Sequence, residues 1–163
     1  MSQNEKEYYE PVLQHFKELL SKRGEVHLEI TADGQFSNKL KEQVSDSRDI
    51  IFSFLKETRP DITGFVKGEY SAKFFVIEIK DVELKLEHIY QTKRYADLFE
   101  AYFAFLVSPK EIPAELKKIS DKIYNISSLG QYRYLALCQY DKEKNSIVDW
   151  FKENPIEKDY YWK

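Results

Sequence analysis

The chain has 163 residues, of which 42% are hydrophobic and 33% charged, and carries a formal net charge of −3. That length suits one domain with a real core, spanning residues 1–163, and the composition excludes a disordered polymer. The acidic balance argues against a protein that coats nucleic acid non-specifically, and the single Cys138 excludes an internal disulfide or a multi-cysteine metal centre.

From about Asn4 to Lys22, Tyr9, Val12, Leu13, Phe16, Leu19 and Leu20 recur at helical spacing, with Gly24 placed to end the helix. Pro11 is tolerable there only if the regular helix begins near it or kinks. Glu25 to Ile30 alternates and reads as a strand, followed by a turn at Ala32-Asp33-Gly34. Asn38 to Glu57 reads as one helix, or as two broken near Ser45-Asp46-Ser47. Ile62–Val66 and Ala72–Lys80 read as a β-hairpin across Lys67-Gly68-Glu69. Glu83 to Glu100 has helical spacing. Ala101–Val107 is almost wholly apolar, as a buried parallel strand would be. A loop marked by Pro109 and Pro113, a helix over Ala114–Ile123 and a strand over Tyr132–Tyr140 complete the order. The fold class expected is α/β, a central mixed β-sheet flanked by helices. No apolar run has the length of a bilayer span and no signal peptide is visible, so the expectation is an intracellular, cytoplasmic protein without membrane association.

Charged residues interrupt the apolar segments at two places. Asp61 opens the first hairpin strand; Glu78 and Lys80 close the second. Strand alternation puts Glu78 and Lys80 on one face and Phe75, Ile77 and Ile79 on the other. If the hairpin closes, Asp61 returns to them. Two carboxylates and a lysine at strand ends suit a hard divalent cation and an activated water, the chemistry of phosphodiester hydrolysis.

Pro60-Asp61 and Glu78-Ile79-Lys80 resemble the signature of the PD-(D/E)xK nuclease superfamily, and Gln91-Thr92-Lys93-Arg94-Tyr95 resembles the QxxxY motif of its RecB-like branch. The resemblance covers roughly residues 5–107 and implies a restriction-endonuclease-like core. It implies that Asp61, Glu78 and the backbone carbonyl of Ile79 bind Mg²⁺ or Mn²⁺, and that an acid of the first helix, Glu7 or alternatively Glu10, completes the site. Lys80 would orient the water or stabilise developing charge, Gln91 would position Lys80 or a phosphate, and Tyr95 would brace the helix or touch nucleic acid. Lys85, Lys93 and Arg94 add positive charge nearby. The activity implied is a metal-dependent DNA nuclease, with a homodimer as one arrangement suited to cutting both strands. The alternative is a non-catalytic module of this fold that binds nucleic acid or a protein. No Gly-rich phosphate loop or helicase motif is present, so no nucleotide cofactor is expected. His15, His27 and His88 read as structural, Cys138 as a small core residue, and Tyr160-Tyr161-Trp162 as a cluster docked on the core.

Overall fold

A computed structural model describes residues 3–162. Helix α1 (Gln3–Leu20) buries Tyr9, Val12, Leu13, Phe16 and Leu20 along one face. It runs through Pro11 instead of beginning near it. A proline inside a helix costs about 3 kcal/mol, but burying Val12, Leu13 and Phe16 returns about 1.5–3 kcal/mol each.

Seven strands form one mixed sheet: β1 (Val26–Ile30), β2 (Ile62–Lys67), β3 (Ala72–Ile79), β4 (Phe103–Ser108), β5 (Ser128–Gly130), β6 (Arg133–Asp141) and β7 (Ser146–Phe151). The spatial order is β1-β2-β3-β4-β6, and β5 and β7 both pair with β6. β2 runs antiparallel to both of its neighbours, β1 and β3; β3, β4 and β6 run parallel. α/β architecture with helices on both faces is therefore observed. The hairpin and the parallel strand β4 lie where alternation and apolar content predict them. β5 and β7 carry no periodic signal of their own: Ser128–Gly130 is too short to show a period, and Ser146–Phe151 carries a charge at Asp149.

The 38–57 region is neither one helix nor two full ones. It is a four-residue helix α2 (Asn38–Lys41) and a 3₁₀ segment over Asp46–Ser53. Leu40, Ile51 and Leu55 still reach the core, so the apolar positions were selected for burial and not for helical continuity.

The sheet separates two cores. On one face α1 packs against Ile62, Phe75, Ile77, Ile79 and Phe105. On the other, Ile89, Tyr95, Ala96 and Phe99 of α3 (Leu86–Phe99) pack against Phe65, Phe74, Val76 and Leu106, joined by Leu116 of α4 (Ala114–Lys122). Cys138 is fully buried in the first core. Trp162 docks there too, with its ring centroid 5.9 Å from that of Phe75 and 5.4 Å from that of Tyr102.

At the β1–β2 contact, Gly64 faces Leu28. A Cβ on Gly64 would stand 2.0 Å from the His27 carbonyl oxygen and 2.7 Å from Leu28 Cα. Backbone cannot yield as a side-chain tip does. Gly64→Ala is thus expected to destabilise by about 3 kcal/mol or more, measured by urea unfolding.

Candidate active site

The antiparallel register pairs Ile62 with Ile77, and one step further along the two strands lie Asp61 and Glu78. Each acid accepts a main-chain N–H at or beside the other. The Asp61 N–H donates to Glu78 Oε1 at 2.8 Å, and the Ile79 N–H donates to Asp61 Oδ2 at 2.8 Å. Asp61 and Glu78 are only 5% and 2% exposed. Lys80 Nζ stands 3.8 Å from Glu78 Oε2, on the strand face that alternation assigns to both. Strand β3 stays in register to this point because Glu78 and Ile79 pair with Leu106 and Val107 of the neighbouring parallel strand.

Three further segments converge on this strand end. A cleft of about 240 Å³ is lined by Glu5 of α1, Glu57 and Arg59 of the segment before β2, Asp61, Glu78, Lys80, and Gln91 and Tyr95 of α3. Gln91 is half-buried and Tyr95 is buried. They stand one turn apart, so the helix that packs Tyr95 into the core presents Gln91 to the cleft.

The first-helix acid in the cleft is Glu5. Glu7 is exposed and pairs with Lys142 at 3.3 Å, and Glu10 accepts from Gln14. Both point away because Tyr9 and Val12 set which face of α1 meets the sheet. Glu5 lies one turn before Tyr9 and shares that face. Glu5 is 8% exposed. Counting from the deeply buried Tyr9 would have found it.

Sequence reasoning also missed the groups that hold Asp61. Tyr9 Oη donates to Asp61 Oδ1 at 3.2 Å. Thr31 donates its N–H to the Asp61 carbonyl at 2.8 Å and its hydroxyl to the Pro60 carbonyl at 2.6 Å. Its hydroxyl lies 2.9 Å from Thr63 Oγ1. Arg59 donates to the carbonyls of Thr31 and Ala32, tying the approach segment to the end of β1. His88 accepts from the Lys85 N–H at the start of α3, a structural role. His15 likewise accepts from the Ile147 N–H.

Burial dominates the electrostatics. It pushes Asp61 up to about 6, against the opposing pull of the Ile79 N–H and Lys80. It pushes Glu78 well above the carboxylate range, and the neighbouring Asp61 charge adds to this. Glu5 is raised by burial and held back by Lys80. Two carboxylates this close and this dry disfavour joint ionisation without added positive charge.

Hard divalent cations take oxygen ligands and retain waters. Asp61 and Glu78, with the Ile79 carbonyl beside them and Glu5 across the cleft, are a donor set of that chemistry. Among the described residues, no group of three or more His, Cys, Asp or Glu side chains is already gathered around one point. The two acids of the clasp are therefore the fixed part of any such site, with Glu5 at its margin. Comparison of the chain with family models, curated proteins and solved structures finds no match. No described helix is long and apolar enough to cross a membrane.

Folding raises the Asp61 pKa from 3.8 to about 6. Across that interval the folded state keeps a proton that the unfolded chain has released, so stability of the cation-free protein falls as pH rises from about 4 to about 6. Asp61→Asn is expected to remove this slope. In EDTA its Tm should exceed that of the wild type at pH 8 and approach it at pH 4, as read by thermal denaturation.

Proposed function

We propose that this protein is a metal-dependent DNA nuclease with a restriction-endonuclease-like core, hydrolysing phosphodiester bonds at the Asp61–Glu78 clasp. The observation that supports it most is the meeting of two buried carboxylates and Lys80 at one strand end, in a cleft that also takes in Glu5, Gln91 and Tyr95. The order and spacing that resemble the PD-(D/E)xK and QxxxY motifs agree with that placement.

In this reading Asp61, Glu78, the Ile79 carbonyl and Glu5 hold Mg²⁺ or Mn²⁺. The bound cation supplies charge neutralisation at phosphate and a more acidic water. The protein's own groups do the rest. Tyr9 and the Ile79 N–H hold the two oxygens of Asp61, fixing the direction its carboxylate presents to the cleft. Lys80, 17% exposed beside Glu78, places an ammonium where attacking water or developing phosphate charge sits. Gln91 offers an amide to a phosphate oxygen or to Lys80. Tyr95 is packed in the core and braces α3 against the sheet. A homodimer, with two clefts acting on the two strands of a duplex, is compatible with this reading.

The competing reading, a binding module without catalysis, is favoured by the net charge of −3. It predicts nucleic-acid or protein binding indifferent to Asp61→Ala.

Asp61→Ala and Glu78→Ala are expected to abolish Mg²⁺- or Mn²⁺-dependent cleavage of DNA, with folding intact by circular dichroism, and EDTA should do the same to the wild type. A wild-type protein that binds no Mn²⁺ in calorimetry, with or without DNA, would sink the catalytic reading. Glu5→Gln should weaken Mn²⁺ binding by about 10-fold or more. Glu7→Gln should leave it unchanged, which separates the two first-helix acids.

A further inference from the structure

Beside the cleft, α3 carries a second column of side chains that the catalytic reading does not use. Tyr90 is 53% exposed. With Lys93, Arg94 and Leu98 it lines a shallow depression of about 470 Å³, next to Gln91 in sequence and closed by Asp97 at its far end. Lys93 Nζ donates to the Asn125 carbonyl at 2.5 Å, which clasps the Tyr124–Ile126 turn to α3. Tyr124, adjacent to that contact, forms one wall of another cleft, of about 320 Å³. Tyr132, Tyr134, Tyr160 and Tyr161 form its other walls, with Lys152 and Arg133 also lining it.

Three features mark this line as a surface for a ligand. First, four of the five exposed tyrosines among the described residues border it: Tyr90, Tyr124, Tyr132 and Tyr160. Second, Tyr132 is 74% exposed although its backbone sits at φ 60°, in the left-handed region, which costs a non-glycine residue about 1 kcal/mol or more. An exposed ring contributes little to core burial, so the core does not account for it. Third, the cations along the line lack carboxylate partners. Among the described residues none of Lys93, Arg94, Arg133 and Lys152 forms an ion pair. Among the described residues Arg133 donates to main-chain carbonyls alone. The one acid lining the tyrosine cleft, Glu153, accepts from the hydroxyls of Tyr160 at 2.6 Å and Tyr161 at 3.1 Å, and faces Lys158 at 3.9 Å.

Exposed aromatic faces interleaved with uncompensated cations suit a polymer of alternating planar bases and phosphates. Bases within a duplex are already stacked and offer no free face to a ring. We propose that the line from Gln91 across Tyr90 and Arg94 to the Tyr124–Tyr132 cleft holds an unpaired strand of nucleic acid extending beyond the active-site cleft. It rests on the nucleic-acid reading of that site for the identity of the polymer, and not on catalysis.

Fluorescence anisotropy with a labelled oligothymidylate and a duplex of equal length, both in EDTA, tests it without cleavage. The single strand should bind more tightly than the duplex. Tyr124→Ser combined with Tyr132→Asn should weaken it by about tenfold or more, since stacking on an aromatic ring is worth about 1–3 kcal/mol per base. Asparagine tolerates the left-handed backbone at 132, and both rings are exposed, so thermal unfolding should be unchanged. Lys152→Gln should reduce the slope of log affinity against log salt by about 0.7. Equal affinity for the two DNA forms, no binding at all, or an unaltered double variant would overturn the proposal. Ring-dependent binding without any cleavage in Mg²⁺ or Mn²⁺ would remove the nuclease reading alone. Cleavage without ring-dependent binding would remove this line alone.

Discussion

Asp61 and Glu78 each accept a main-chain N–H beside the other, Glu78 from Asp61 and Asp61 from Ile79, and both acids are buried while they do so. A hairpin that slipped by one residue would put the two carboxylates on opposite faces of the sheet and leave two buried N–H groups without partners. The clasp thus joins the register of β2 and β3 to the geometry of the cleft. The surrounding contacts serve the same end. Thr31 and Arg59 anchor the chain just before β2, and the parallel neighbour β4 holds β3 in line.

Burial explains why the clasp is also a chemical feature. Two adjacent carboxylates away from water resist losing both protons, and Lys80 offsets only part of that resistance. Added positive charge relieves that resistance, which is what the proposed cation would supply. Perturbed acids concentrated in one cleft are a recurrent mark of function.

The two faces of the sheet divide the work of bringing helices to this point. α1 is oriented by Tyr9, Val12, Leu13 and Phe16, and the same orientation turns Glu5 and the Tyr9 hydroxyl to the cleft. On the other face, α3 is oriented by Ile89, Tyr95 and Phe99, which leaves Gln91 at the cleft and Tyr90 outside it. Core packing therefore decides which polar side chains meet. At the opposite end of the parallel strands the carboxyl-terminal segment stacks Trp162 on Phe75 and encloses the tyrosine cleft.

Much of this organisation is legible in the residues themselves. Alternation places Glu78 and Lys80 together and Phe75, Ile77 and Ile79 opposite; the unbroken apolar run before Ser108 marks β4 as buried; helical spacing marks α3. These are periodic signals, and each depends only on neighbours along the chain. The irregular structure at 38–57 and the strands β5 and β7 were not legible, because their conformation follows from surfaces that exist only once the sheet has formed. The same limit governs the site. Alternation along the chain marks which acids and which lysine stand at strand ends. It takes packing between distant elements to bring Glu5, and not Glu7, to them, and to set Tyr9, Thr31 and Arg59 around the Asp61 segment. The rotation of a helix against a sheet is set by how its whole apolar face packs, and no single residue or spacing carries that information.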